Sequence, residues 1–375
     1  MTRTRPAVRS QISSALQRSL TLVLSILAAV AVGSLLMLFY KQNPVEVYSL
    51  LIKGAVGTPR SIAISIQRAT PLIFTATAAM IAFRTGMFNI GVEGQFLIGA
   101  IFGTYVGYAF KMPAFIHLPV CLLTGFLAGA AWALVPIILR QRFGINEIIT
   151  TIMTNYIATY FISYLTNYPM RATPTTPQTP PVQTTAHIKR FVDVFGNKGF
   201  GQGSQAHLGI FIAIALVVVV YFVFRRTKIG YEWRVLGLSS LFSEFGGINL
   251  NRTFILGMLV SGGVAGLGGT VEILGVWRVY KDLFASGFGL RGMLAALLGR
   301  QTVIGSAVAA VFYGAMEAGA MGLDWSAGIP RQLIDIVVGL VIFFMAAEGM
   351  WDFVTHIHLG RKRATEGQPT QGQQA

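Results

Sequence analysis

Apolar residues in this chain fall in long blocks, not in the strict alternation of a half-buried strand. Ten blocks stand out: 20–40, 61–83, 89–108, 115–139, 147–165, 207–224, 253–277, 287–300, 304–322 and 332–350. A helix crosses the bilayer hydrocarbon with roughly 20 residues, within a range of about 17–25. Nine of the blocks meet that length, and 287–300 is short and glycine-rich. The pattern predicts an all-α polytopic membrane protein with about ten transmembrane helices, one of them broken or re-entrant. It divides the chain into a basic N-terminus (1–19), a single transmembrane domain (20–350) and a tail (351–375). The tail ends in a polar Gln/Gly-rich stretch that is too poor in apolar residues to fold.

Two connections are long enough to carry a role of their own. The loop 166–206 contains Thr173-Pro174-Thr175-Thr176-Pro177-Gln178-Thr179-Pro180-Pro181. That run cannot be helical, because proline lacks the donor and restricts its predecessor; an extended surface segment is expected. The loop 225–252 is basic and punctuated by glycine. Within it Trp233, Leu236, Leu241, Phe242 and Phe245 trace an imperfect helical face over 231–245. Such a helix serves either to dock a partner or to lie on lipid headgroups.

Composition agrees with a membrane chain. Hydrophobic residues make up 54% and charged residues 11%, against about 25% charged in soluble domains. The net charge of +15 does not read as a nucleic-acid surface, because the bases cluster beside apolar blocks as in cytoplasmic membrane loops. Arg140/Arg142, Arg225/Arg226/Lys228 and Arg361/Lys362/Arg363 all fall at block ends on one side. The positive-inside rule makes that side the cytoplasm and places both termini there. Cys121 is the single cysteine, so no disulfide framework and no cysteine metal site exists within one chain. Residues 1–19 are basic, but the apolar run that follows has span length, not the length of a signal-peptide core. His356 and His358 read as tail residues.

Polar residues inside apolar blocks are where function is expected, because their burial in lipid is costly. The first set is Asn89, Glu93 and Gln95, with Gly91 and Gly94 beside them. If 89–108 is one helix, Asn89 and Glu93 share a face. Substrate contact and an interhelical hydrogen-bond cluster are both open readings. Asn146 and Glu147 open the next block but one and are expected to cap its helix. Thr151 and Asn155, four apart and deeper, line a path or bond across helices. In 257–275, Gly262, Gly266 and Gly269 give the small-residue spacing of close helix packing. Glu272 in the same block needs a partner, for which Arg291, Arg278 or a solute pathway are candidates. Arg291 sits in Gly287-Phe288-Gly289-Leu290-Arg291-Gly292 and either faces a pathway or snorkels to the interface. Substrate-pathway candidates are thus Asn89, Glu93, Gln95, Thr151, Asn155, Glu272 and Arg291.

Some functions are disfavoured by what the chain lacks. No nucleophile–base pair, carboxylate dyad or H-E-x-x-H run points to an intramembrane enzyme. No G-x-x-x-x-G-K-[ST] run occurs, so any ATP-driven chemistry must come from another chain. A proton relay through Glu93, Glu272, Glu317 and Asp335 would make it an ion-coupled carrier.

The run Asn89-Ile90-Gly91-Val92-Glu93-Gly94-Gln95 resembles the hallmark of bacterial ATP-binding-cassette permeases of the simple-sugar and nucleoside group, related to the ribose and branched-chain amino-acid permeases. The resemblance continues through Gly144-Ile145-Asn146-Glu147-Ile148, the glycine helix 253–275 and Gly287-Phe288-Gly289-Leu290-Arg291-Gly292-Met293, covering roughly residues 50–350. It implies a nucleoside or simple-sugar import subunit of the bacterial inner membrane that works by alternating access, with a branched-chain amino acid as the alternative solute. It implies as partners an ATP-binding subunit, a second permease subunit (the same or a different chain) and an extracytoplasmic substrate-binding protein. This chain itself would bind no cofactor; ATP and Mg would sit on the partner ATPase. The coupling loop would comprise Trp233, Gly237, Leu238, Ser239, Glu244, Phe245, Gly246, Ile248 and Asn249. The family usually opens that loop with Gly-Leu-Asn and has alanines at its centre, where this chain has Gly237-Leu238-Ser239 and Leu241-Phe242-Ser243-Glu244-Phe245. It also commonly has Asp where this chain has Arg291.

Overall fold

A computed structural model describes residues 27–28, 30–172, 175–282, 284, 287–327, 336 and 339–340, with side chains of 323–327 left aside. The expectations for 1–19, the first part of 20–40, most of 332–350 and the tail lie outside these residues. The described chain is helical, with isolated β-bridges and no strand. Its helices are α1 (Val30–Phe39), α2 (Pro44–Val56), α3 (Pro59–Arg84), α4 (Val92–Ala109), α5 (Ala114–Phe143), α6 (Glu147–Asn167), α7 (Phe191–Phe195), α8 (Gly209–Arg226), α9 (Lys228–Leu238), α10 (Ser240–Phe245), α11 (Leu250–Glu272), α12 (Phe288–Leu298) and α13 (Val303–Ala327). Two compact units arise, Ser49–Ala327 and a second formed by Met1–Tyr48 with Gly328–Ala375. In the second, the Tyr48 hydroxyl donates to the Val30 carbonyl at 3.0 Å.

Six described helices are long and apolar enough to cross a bilayer: α3, α5, α6, α8, α11 with its C-terminal extension, and α13. This is fewer than the ten expected. Glu93 and Gln95 in the first turns of α4 dilute its hydropathy. α12 has 11 residues and rises about 16 Å, well short of the roughly 30 Å hydrocarbon core. Its brevity matches the broken-helix expectation for 287–300.

Chain breaks follow local chemistry. Gly144 ends α5 in the left-handed conformation (φ 66°), which only glycine adopts without steric cost. Asn146 then caps α6, its Oδ1 accepting from the Ile148 N–H at 2.8 Å. Glu147 pairs with Arg140 at 2.8 Å, joining the last turn of one helix to the first turn of the next. The single helix expected over 231–245 is instead two. Ser239 takes an extended backbone (φ −161°), and its hydroxyl accepts from the Phe242 N–H at 3.2 Å to start α10.

The core of the larger unit is built around α11. It packs against α3, α4 and α5, and its glycines let backbones meet. A Cβ on Gly266 would collide with the Gly125 carbonyl and stand 3.0 Å from the Gly129 Cα. One on Gly262 would meet Ala133 and the Gly129 carbonyl at 2.5 and 2.6 Å. Gly269 abuts the Phe96 carbonyl. Close backbone approach of this kind increases dispersion contact between helices where lipid offers no hydrophobic drive.

The loop 166–206 is more embedded than a surface segment. Thr179, Val182, Ala186 and Ile188 are buried. Amides of Thr179, Val182 and Ile188 donate to the carbonyls of Tyr280 (3.0 Å), Arg278 (2.8 Å) and Leu274 (3.1 Å). The loop therefore serves as a strap bonded edge-on to the segment after α11. Pro177, Pro180 and Pro181 have no N–H to donate, so Thr179 and Val182 carry these bonds.

Gly266→Val is expected to destabilise by more than the ~1–3 kcal/mol typical of overpacking, since both collision partners are backbone. Gly246→Ala, whose added carbon would meet neighbours at 3.4 and 3.5 Å, should change stability by less than about 0.5 kcal/mol. Thermal unfolding of the purified protein in detergent measures both.

Candidate functional site

The site begins where α4 begins. Gly86 turns the chain with φ 74°, and residues 87–91 are non-helical, so α4 starts at Val92 and not at 89. Asn89 and Glu93 therefore do not share a helix face. Asn89 points into the protein: its Nδ2 donates to the Gln95 Oε1 at 2.8 Å and to the Ser261 hydroxyl at 2.9 Å, and Gln95 returns a bond to the Asn89 Oδ1 at 3.1 Å. Ser261 passes the chain on to the Ala78 carbonyl at 2.7 Å. All three side chains are buried. This network ties the entry of α4 to α11 and α3.

Glu93 points the other way, toward α12. Its carboxylate accepts from the Gly287 N–H at 2.7 Å and from the Gly289 N–H. These amides belong to the N-terminus of α12, whose free donors and dipole favour an anion. Gly287 has φ 90°, which turns its own amide toward the acid. A Cβ on Gly289 would collide with the Glu93 backbone, so glycine there lets the two helix starts meet.

Asn155 of α6 closes the third side. Its Oδ1 accepts from the Gly94 N–H at 2.8 Å and its Nδ2 donates to the Ile90 carbonyl at 2.9 Å. One side chain thus satisfies a donor and an acceptor left open where α4 begins.

Between these elements lies a cavity of about 360 Å³, within the range of about 300–1,000 Å³ seen for small-molecule sites. Glu93, Asn155, Tyr156, Thr159, Tyr280 and Asp282 give it its polar groups, and Ile90, Leu97, Ile152, Ile162 and Leu290 its apolar wall. Tyr156 is exposed and Tyr280 almost fully buried. The strap holds the far wall: the Tyr280 amide donates to the Thr179 hydroxyl at 3.0 Å, and the Asp282 amide donates to the Pro177 carbonyl at 3.2 Å.

Of the seven pathway candidates, the structure brings Glu93 and Asn155 to the cavity. Asn89 and Gln95 sit in the buried network. Thr151 is buried, its hydroxyl bonded to the Glu147 carbonyl of its own helix at 2.6 Å. Arg291 pairs with Glu317 at 2.8 Å. Glu272 is buried with one carboxylate oxygen unpartnered; neither expected cation reaches it, since Arg291 is on Glu317 and Arg278 pairs with Asp193 at 3.5 Å. Glu93 and Glu317 of the relay reading are thus engaged by different groups, and Asp335 lies outside the described residues. Tyr156, Thr159, Tyr280 and Asp282 escaped the sequence reading. Thr159 and Tyr156 continue the helix face of Asn155 at i+4 and its neighbour, a signal that was present. Asp282 and Tyr280 lie in an aperiodic stretch that offered none.

A π-helical turn, Ile273–Trp277, ends α11. Such turns leave carbonyls misaligned with the helix ladder and recur at functional sites. Arg190 of the strap takes up two of them, donating to the Gly275 carbonyl at 2.9 Å and to that of Val276. Burial holds the pKa of Arg190 below its ordinary value, with the neighbouring Arg278 charge adding to the effect.

The coupling-loop residues form a second locus. Trp233 is buried against Phe224, ring centroids 5.5 Å apart. Gly237 lies so close to the Arg84 carbonyl that a Cβ would collide with it. Glu244 and Gly246 are exposed and Ile248 is half-buried. Asn249 caps α11, accepting from the Arg252 N–H at 3.0 Å. Leu238 and Phe245 are 85% and 84% exposed, and Leu241 and Phe242 lie open between them. Four large apolar side chains on 8 residues thus lie exposed in this basic loop.

A bundle of apolar helices with polar groups gathered in one cavity, and an apolar patch on a basic loop, defines a polytopic membrane transport subunit. By the match of residues 61–346, the chain belongs to the family described as the permease component of the branched-chain amino acid transport system. It is 35% identical to the guanosine ABC transporter permease protein of Bacillus subtilis over 88% of this chain and 94% of that one. It is 32% identical to the nucleoside ABC transporter permease protein of Lactococcus lactis, over 91% and 93% of the two chains. The glucose ABC transporter permease protein of Haloferax volcanii is 32% identical over 87% and 86%. No solved structure matches.

Glu93→Ala is expected to leave the two α12 amides without their acceptor, at about 1–3 kcal/mol for each buried donor, and to lower the melting temperature together with transport. Glu93→Gln keeps one acceptor oxygen and should lose less of both. Equal melting temperatures for wild type and Glu93→Ala would show that the acid does not hold α12.

Proposed function

We propose that this chain is the transmembrane subunit of an ABC importer that carries a nucleoside or a simple sugar. The observation that carries the reading is the likeness to nucleoside and sugar permeases, about a third identical along nearly the whole of both chains. The cavity adds to it: aromatic and hydroxyl side chains beside a carboxylate suit a ring-bearing solute rich in hydrogen-bond donors. The family's description supports a second reading, a branched-chain amino acid.

The chain would span the bacterial inner membrane about ten times with both termini in the cytoplasm. The basic ends of α5 (Arg140, Arg142) and α8 (Arg225, Arg226) support that orientation. A separate ATP-binding subunit would dock on Leu238, Leu241, Phe242 and Phe245 and hold the ATP and Mg. An extracytoplasmic binding protein would deliver solute, and a second permease subunit, the same or a different chain, would complete the path. Transport then follows from two conformations of the permease whose balance nucleotide binding shifts by differential affinity. Glu93, Asn155 and the cavity around them are proposed as part of the solute path; Asn89, Gln95, Thr151, Glu272 and Arg291 would support it from behind. Gly262, Gly266 and Gly269 would serve packing.

The test reconstitutes the chain with its candidate ATPase, second permease and binding protein in lipid. ATP hydrolysis should rise when the binding protein carries a purine nucleoside or a sugar. Changing Leu241, Phe242 and Phe245 to Ser should abolish the rise in a complex of unchanged composition. Stimulation by valine alone would favour the amino-acid reading. Uptake driven by an ion gradient without ATP would overturn the importer reading.

A further inference from the structure

The described wall of the cavity offers an anion neither a cation nor a free helix N-terminus. Helix N-termini are the ready-made sites for phosphate or carboxylate, and two of them begin beside this cavity. The Glu93 carboxylate already occupies that of α12. Asn155 takes the Gly94 amide at the start of α4. No Lys, Arg or His lies among the described lining residues. The nearby cations are engaged elsewhere: Arg291 on Glu317 (2.8 Å), Arg278 on Asp193 (3.5 Å), and Lys281 over the Trp277 ring, 5.7 Å from its centroid.

One acid keeps a free acceptor. Asp282 lines the cavity, and Ser163 of α6 donates its hydroxyl to the Asp282 Oδ2 at 2.8 Å. Asn167 in turn donates to the Ser163 carbonyl at 2.8 Å and to its hydroxyl at 3.3 Å, which fixes the hydroxyl's direction. The other carboxylate oxygen has no hydrogen-bond partner among the described residues. A carboxylate oriented by one oxygen presents the other to a donor on the solute, and hydrogen bonds to an ionised acceptor are the strong ones.

We propose that Asp282 is the specificity residue of the cavity, accepting from the hydroxyl groups of an uncharged solute and excluding its phosphorylated or otherwise anionic forms, with Ser163 as the positioning residue. This rests on the nucleoside-or-sugar reading and sharpens it. The permease itself rejects phosphate, so any phosphorylation of the solute must follow import, and any phosphate ester outside must be cleaved before it. A zwitterionic amino acid would bring a carboxylate for which the described cavity wall offers no cation.

The test measures equilibrium binding to the complete transporter in nanodiscs, using guanosine, glucose, guanosine 5′-monophosphate, glucose 6-phosphate and valine. Wild type should bind guanosine or glucose and bind its phosphorylated form weaker by on the order of a hundredfold, the cost of like charges brought together. Asp282→Asn removes the charge and keeps the shape. It should weaken the neutral solute about tenfold, as loss of a charge-assisted bond implies, and shrink the phosphate penalty to less than about tenfold. Ser163→Ala keeps the charge and loses only its orientation, so the neutral solute should weaken about threefold with the phosphate penalty intact. Ser163→Ala stands in if Asp282→Asn fails to assemble. A phosphate penalty unchanged in Asp282→Asn, or unaltered neutral binding in Ser163→Ala, overturns the assignment and leaves the importer reading standing. Wild type that binds valine and neither neutral solute overturns the reading and the assignment together.

Discussion

Everything at the centre of this protein depends on a carboxylate placed against a helix start. Glu93, in the first turn of α4, accepts the opening amides of α12. The bond does three things at once. It satisfies donors that would be costly to bury unpaired, it fixes where a helix too short to span the membrane begins, and it occupies a helix N-terminus, the kind of position that favours anions. The glycines at 287 and 289 follow from it, one by supplying a positive φ and the other by leaving room for the acid's own backbone. The cavity is what remains between two helix starts held this way and the flank of α6.

The rest of the architecture keeps that junction in place. The Asn89–Gln95–Ser261 network anchors the entry of α4, and the glycine face of α11 sets how closely α4 and α5 approach. The proline-bearing strap has traded helical bonds for bonds to Leu274, Arg278 and Tyr280, and Arg190 caps the π turn from which the cavity wall runs on. That wall carries Tyr280 and Asp282, so the strap's position and the solute's surroundings are mechanically one question. The exposed apolar row on α9 and α10 lies on the same chain segment that leads into α11.

Much of this was legible in the sequence, and the reason differs by feature. Asn146 announced a helix start because capping chemistry is local. The spacing of Gly262, Gly266 and Gly269 announced a packing face because helix geometry alone sets it. The shortness of 287–300 was visible by counting. What was not legible required the tertiary fold. A helix drawn from 89 put Asn89 and Glu93 on one face, whereas the turn at Gly86 and the pull of Ser261 from α11 delay the helix to Val92. Neither cation that the sequence offered Glu272 reaches it, because Arg291 and Arg278 are held by Glu317 and Asp193. Asp282 and Tyr280 belong to a stretch without periodicity, and only their bonds to the strap and to Ser163 give them a place. Six crossing helices are described against ten apolar blocks: Glu93 and Gln95 dilute the hydropathy of α4, α12 stops partway, and part of 20–40 and most of 332–350 lie outside the described residues.

The central claim is that solute passes through the cavity between α4, α6 and α12. The most direct measurement is a cryo-electron microscopy structure of the assembled transporter with guanosine or glucose bound. The account predicts solute density in contact with Tyr156 and Asp282, with Glu93 still on the Gly287 amide. Solute density elsewhere along the permease, with a lipid chain filling this cavity, would contradict it.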